Sequence, residues 1–429
     1  MSMFKFVTGC NDLKQWIKES HLSSSSIDME TYNIVNDIKS LIENNGDKAL
    51  INLTEKFDQM VLSPNELRVS EAAIQAAYQA VDEPYIESLK KAAKNIEDYH
   101  LNQRPKNWEK SSTDQTYGVQ FSPLDSVGLY VPGGRAAYPS SVLMTAIPAK
   151  IANCSRIVMV SPPTGGQIPA SVLVAADLSG VNEIYQIGGA QAVFALAYGT
   201  DSISPVDKIV GPGNKFVTAA KQMVYGVVDI DKPAGPSEVC VYVDELQYAP
   251  YAASEMLAQL EHDPDAAAIC IATSIEIADA VNLAAEQQVQ SLNRRAIIDE
   301  SKHNAVIAFI DGHDEALAAI NYCASEHLVL VSNAANQLRH EVKHAGSIFC
   351  GPYTPVALGD YYAGPNHVLP TARSARFASP LGVMDYMKYS SYLSYSDVAL
   401  KKASMDLKNL TSAEGFDAHF NSVQVRINE

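Results

Sequence analysis

The chain has 429 residues, of which 47% are hydrophobic and 19% charged, a globular composition that excludes disorder, collagen-like repeats and a coiled coil as descriptions of the whole. At roughly 150 residues per domain, two or three domains are expected. The net charge of −17 is interrupted by no basic cluster, so nucleic acid and anionic membranes are poor partners.

Six cysteines, Cys10, Cys154, Cys240, Cys270, Cys323 and Cys350, form no C-x-x-C pair, which argues against a disulfide framework or a thiolate zinc cluster. Met1 to Ser20 lacks a signal-peptide core. No run reaches the ~18 apolar residues of a membrane span. A soluble protein of the reducing cytoplasm is expected.

Residues 28 to 103 read as helices. The clearest is Pro84 to His100, where Ile86, Leu89, Ala93 and Ile96 recur at helical spacing. Their apolar faces need a partner layer, and a sheet is the natural one. From Tyr117 the pattern changes: Tyr117 to Leu124 and Val127 to Val131 read as strands joined by a short turn at Asp125-Ser126. Strands at Ile157 to Val160, Glu183 to Ile187 and Lys208 to Val210 then alternate with helices. A second alternating set follows Pro236, with strands at Glu238 to Val243, Ala268 to Ala272, Val306 to Ile310, Leu328 to Val331 and Ser347 to Phe349. Such alternation argues parallel, doubly wound sheets. After Leu381 the chain reads as helix. No fixed-period repeat occurs, and the only low-complexity stretch is Ser23 to Ser26.

Three strands of the first set end in glycine turns: Val131-Pro132-Gly133-Gly134, Gly188-Gly189-Ala190-Gln191 and Gly211-Pro212-Gly213-Asn214. Any one is explained as a turn. Three at the carboxyl ends of parallel strands point to a nucleotide site, where glycine admits a ligand close to the backbone and helix starts favour phosphate. None is the G-x-G-x-x-G fingerprint, so the pattern alone does not specify NAD.

Gln259 and His262 stand three apart at the end of a helix expected over Tyr251 to Glu261, a spacing that puts both on one face. Metal chelation and an exposed helix end both fit. Glu326-His327 precedes an apolar strand, an acid and a base where partial burial tunes both; a helix-end histidine beside a solvated glutamate is the alternative. Asp360 lies in a glycine-rich segment, and Glu414 and His419 lie near the C-terminus. Gln259, His262, Asp360 and His419 offer two nitrogens and two oxygens, acceptable for zinc. Spacing leaves open whether they meet.

With these segments in view, the sequence resembles the histidinol dehydrogenase family. The resemblance runs from about Tyr117 to the C-terminus, through Tyr130-Val131-Pro132-Gly133-Gly134, the two further glycine turns, Ala234-Gly235-Pro236-Ser237-Glu238, Gln259-Leu260-Glu261-His262-Asp263-Pro264 and Ser325-Glu326-His327. It continues through Ala363 to Thr371, which contains His367, and Glu414 to His419. Lys232 departs from the pattern, standing where an apolar residue is expected.

The resemblance implies an enzyme that oxidises L-histidinol through L-histidinaldehyde to L-histidine with two NAD. It implies one zinc per subunit on Gln259, His262, Asp360 and His419. Tyr130, Gln191 and Asn214 would contact NAD, and Glu326 and His327 would be the acid–base pair. Ser237, His367 and Glu414 would hold substrate beside His327 and the zinc ligands. The implied fold is two Rossmann-like α/β domains with helical terminal extensions in an intertwined homodimer, whose tail reaches the partner's site. The expected division is 1–27 as a helical extension, 28–129 with 237–380 as the zinc-bearing domain, 130–236 as the NAD domain and 381–429 as the tail. The alternatives are a paralogue oxidising another small polar alcohol, a zinc hydrolase using Glu326 to activate water, and a non-catalytic binding protein.

Overall fold

Short, buried apolar runs form the central strands of this protein, whose computed structural model describes residues 2–20, 22, 27–133, 137–233 and 235–427. His21, Ser23 to Ser26, Gly134 and Ala234 lie outside the described residues. The chain opens with β1 (Lys5–Thr8), α1 (Gly9–Glu19), α2 (Met29–Asp58), α3 (Glu71–Ala80) and α4 (Glu83–Leu101). Next come β2 (Trp108–Ser111), β3 (Gln115–Pro123), β4 (Ser126–Tyr130), α5 (Pro139–Ala152), β5 (Arg156–Val160) and α6 (Ala170–Ser179). Then follow β6 (Glu183–Tyr185), α7 (Gly189–Tyr198), β7 (Lys208–Val210), α8 (Lys215–Val224) and β8 (Asp229–Ile230).

The second set holds β9 (Glu238–Val243), α9 (Ala249–Leu260), β10 (Ala267–Ala272), α10 (Ile275–Gln288), α11 (Arg295–Ser301) and β11 (Ala305–Phe309). It continues with α12 (His313–Cys323), β12 (His327–Leu330), β13 (Ser347–Cys350) and α13 (Val356–Tyr361). The tail is β14 (Met387–Tyr395), α14 (Asp397–Glu414) and α15 (Asp417–Ile427).

A five-stranded sheet runs β6-β5-β4-β7-β8 and a six-stranded sheet β1-β11-β10-β9-β12-β13, each parallel throughout. Apart from the edge strand β1, both wind alike: the first strand is central, the next two lie to one side and the last two to the other. This is the doubly wound pattern, present twice without a repeat in the sequence. Every residue of β9 and β10 is buried, as expected where helices cover both faces.

Four expectations are corrected. First, β3 and β4 form no hairpin: β4 is central in the parallel sheet, whereas β3 lies between β14 and β2 in an antiparallel ribbon. β3 is only half-buried while β4 is almost wholly buried, so the two suit different layers. Second, the tail begins with a strand, because the polar–aromatic run Met387–Tyr395 pairs along its whole length with β3. Third, the N-terminal segment contributes a strand to the large sheet, β1 pairing with β11.

Fourth, helices α2 to α4, expected to belong with residues 237–380, cover the five-stranded sheet. Leu50 and Leu53 share a core with Phe194, and Ile86, Leu89 and Ile96 share one with Val142 and Ile147. Their apolar stripes found the nearer helical layer.

Buried lysines pin the joint between β8 and β9. Lys232, the departure noted in the sequence, is tolerated because its Nζ donates to the carbonyls of Ser379 at 2.6 Å and Val368 at 3.3 Å. Burial still holds its pKa below the usual lysine value. Lys221 Nζ pairs with Asp231 and donates to Gly211 O at 2.8 Å, while Gly211 N donates to Asp231 Oδ2 at 2.8 Å. This pair braces the glycine turn after β7. Asp231→Ala leaves the ammonium buried and unpaired, and urea unfolding is expected to show a loss of about 3–5 kcal/mol; a loss under about 1 kcal/mol, the level of an exposed pair, would contradict the bracing role.

Candidate active site

The β9–β12 pairing, in which His327 stands opposite Val239, brings Glu238 and Glu326 together at the amino ends of both strands. Glu238 N donates to Glu326 Oε2 at 2.9 Å. His327 Nδ1 lies 3.3 Å from Glu238 O and 3.6 Å from Glu326 Oε2. With Nδ1–H assigned as donor to that carbonyl, Nε2 is the nitrogen that gains and loses the proton. Nε2 is buried without a hydrogen-bond partner among the described residues, and stands 3.5 Å from Asp360 Oδ1.

These groups titrate abnormally because they share one dry pocket. Burial raises Glu326 to about 7, with His327 opposing. Burial and then the Glu326 charge raise Glu238 to about 8. For His327 burial acts downward, but Glu326 and Asp360 outweigh it and lift the imidazole to about 9. Burial pushes Asp360 up, yet His327, His367 and His262 around it hold the carboxyl below its usual value.

Gln259 is 3% exposed on α9, and its Nε2 has no hydrogen-bond partner among the described residues. His262 follows just past the helix end, its N–H donating to Gln259 O at 3.2 Å. The residue is exposed, although desolvation of its ring holds its pKa down against the pull of Asp360. One turn before Gln259, Glu255 Oε2 accepts from Val356 N at 3.0 Å. This bond ties α9 to the start of α13, where a carboxylate is favoured, and α13 carries Asp360. Nothing in the sequence marked Glu255, which sits mid-helix in an ordinary amphipathic pattern.

His367 links this cluster to the other sheet. Its Nδ1 lies 2.8 Å from Asp360 O and its Nε2 3.3 Å from Ser141 Oγ, in the first turn of α5. Its neighbour Asn366 donates through Nδ2 to Met144 O at 2.7 Å. Ser237, half-buried, immediately precedes β9.

A cavity of about 380 Å³ opens at the carboxyl ends of the five-stranded sheet, and Tyr130, Gln191 and Asn214 all line it. Tyr130 Oη accepts from Gly189 N at 3.0 Å. Asn214 caps α8 by accepting from Phe216 N and Val217 N. Gly211 has φ +114°, and a Cβ there would lie 2.2 Å from Tyr130 O, so only glycine fits.

Glu414 and His419 stand apart. Both are exposed on α14 and α15, with no bond to Gln259, His262 or Asp360. Among the described residues no group of three or more His, Cys, Asp or Glu side chains is arranged to hold a metal, so the expected tetrad is not assembled within one chain. All six cysteines are free. Among the described residues no helix is long and apolar enough to cross a membrane.

The sequence profile described as histidinol dehydrogenase matches residues 22–427. The chain belongs to the histidinol dehydrogenase family. Histidinol dehydrogenase of Bacillus thuringiensis subsp. konkukian is 46% identical over 98% of this chain and 99% of its own length. That of Listeria innocua is 47% identical over 95% of each. The crystal structure of histidinol dehydrogenase from Elizabethkingia anophelis, 32% identical, superposes with a TM-score of 0.94 over 100% of this chain and 99% of that one. The activity is that of the family, NAD-dependent oxidation of histidinol in histidine biosynthesis.

The Glu255 tie generates a test. Glu255→Ala frees the start of α13 and displaces Asp360, so kcat/KM for histidinol is expected to fall about ten- to a hundredfold. Glu255→Gln, which keeps an acceptor oxygen, restores most of it. Equal losses in both variants would contradict the positioning role.

Proposed function

We propose that the cluster at the amino ends of β9 and β12 oxidises L-histidinol to L-histidine by removing four electrons, through L-histidinaldehyde. One zinc per subunit would be held by Gln259, His262 and Asp360 with His419 from a second copy of the chain. The observation that carries this reading is that the Gln259 amide nitrogen and His327 Nε2 are both buried without a hydrogen-bond partner among the described residues, with three histidines about the Asp360 carboxylate. Amide oxygen and nitrogen exchange by a flip, so Gln259 offers an oxygen to a cation as readily. Oxygen and imidazole donors suit zinc.

Bound there, zinc supplies an anchor for the imidazole and amine nitrogens of histidinol, and NAD in the cavity lined by Tyr130, Gln191 and Asn214 supplies the hydride acceptor. His327 Nε2 takes the hydroxyl proton as hydride leaves the carbinol carbon, a contribution of roughly 10²–10⁴ in rate. Asp360 cannot hold a cation and pull equally on His327, so ligation lets the imidazole fall toward the neutral form that a base requires. Glu326, poised near neutrality, takes a proton from the water that adds to the aldehyde. His327 then serves the second oxidation. Ser237 and His367, with Glu414 from the second copy, would orient the substrate.

A homodimer with exchanged tails would complete this arrangement. Neither α14 nor α15 has a buried side chain, while Leu393, Met405, Leu410 and Phe416 are exposed, an apolar surface of the kind a partner covers. The enzyme would work in the cytoplasm.

Two NADH formed per histidinol consumed is the expected stoichiometry; one would contradict the reading. Glu326→Gln is expected to slow oxidation of supplied histidinaldehyde by about 10²-fold or more and the first hydride transfer far less. Equal effects on both halves would remove Glu326 as the base for water.

A further inference from the structure

One side chain in the cavity has no part in the roles above. Asp58, the last residue of α2, lines it beside Tyr130, and its Oδ2 is buried without a hydrogen-bond partner among the described residues. Three unfavourable terms meet there. A carboxylate at a helix C-terminus opposes the helix dipole. Burial raises the pKa of Asp58 to about 6, which leaves the group ionised at neutral pH but poorly solvated. An acceptor shut away from water and left unbonded costs its desolvation outright. No bond within the described residues offsets these costs, whereas a ligand carrying hydroxyl donors would.

The rest of the wall narrows the ligand. Ile34, Ile38 and Phe57 place apolar surface next to Asp58, with Pro132 and Pro162 also lining the cavity, a setting suited to a flat base. No Lys or Arg is among the described lining residues, so none of these would neutralise an additional phosphate. Carboxylates accept hydrogen bonds from ribose hydroxyls, whereas a 2′-phosphate calls for arginine.

We propose that Asp58 accepts hydrogen bonds from the ribose diol in the adenosine half of NAD and, by its charge, turns away the 2′-phosphate of NADP. This rests on the reading of the cavity as the NAD site. Asp58 is thus a specificity-determining residue supplied by the N-terminal helices, outside the sheet that carries Tyr130, Gln191 and Asn214.

Calorimetric titration of the zinc-loaded full chain with NAD, NADP, AMP and adenosine 2′,5′-bisphosphate tests it, with Asp58→Asn and Asp58→Ser alongside and melting curves to confirm that both fold. The unaltered chain is expected to bind NAD at least about tenfold more tightly than NADP, and AMP more tightly than adenosine 2′,5′-bisphosphate. In both variants NAD weakens and each ratio falls to within about threefold. Unchanged ratios in the variants would overturn the proposal, as would equal weakening of all four ligands. Failure of the unaltered chain to bind NAD at all would instead remove the cofactor reading of the cavity, and this proposal with it.

Discussion

A row of ionisable side chains, Glu238, Glu326 and His327 buried and Asp360 half-buried beside them, gathers where β9 and β12 begin, and the rest of the site is arranged around that fact. Each loses hydration on folding, and three of the four are acids. Burial above all, and for Glu238 the charge of Glu326 as well, puts Glu326 and Glu238 at about 7 and about 8. The backbone fixes the cluster before the side chains are considered. Parallel pairing sets Glu238 beside Glu326, and Glu238 contributes its N–H to one catalytic candidate and its C=O to the other. A cation among Gln259, His262 and Asp360 would compensate the excess of negative charge.

The two sheets wind alike yet are used at opposite ends. The five-stranded sheet follows the general rule for doubly wound sheets, with its cavity at the strands' carboxyl ends. The six-stranded sheet presents its chemistry at the amino ends. The bonds from His367 to Ser141 and from Asn366 to Met144 clasp one end to the other. That clasp joins the segment beside the acid–imidazole cluster to α5, the helix that follows β4 of the other sheet. The Lys221–Asp231 brace supports the same junction from the cavity side, because it fixes the turn at Gly211.

Much of this was legible in the sequence, and for local reasons. Strand–helix alternation reports parallel sheets because both faces of each strand must be apolar. The glycine turns report the cavity because only glycine fits at positions such as Gly211. Gln259 falls on α9 and His262 just past its end, and their spacing alone left metal chelation and an exposed helix end both open. What stayed hidden is decided between distant segments. β3 and β4 adjoin in sequence but enter different sheets, and no local signal tells a strand which partner it will find. Helices α2 to α4 declare an apolar face but not the sheet it covers. Glu255 and Asp58 look like solvated helix residues until Val356 and the cavity wall are placed against them. The tail discloses helices, but not what its exposed Leu410 and Phe416 meet.

Metal content measured by mass spectrometry on the purified protein, unaltered and as His262→Ala, tests most directly whether a cation organises the buried cluster. One zinc per chain in the unaltered protein is predicted, absent from a folded His262→Ala whose turnover has gone with it. A zinc-free preparation that oxidises histidinol at full rate would contradict the account.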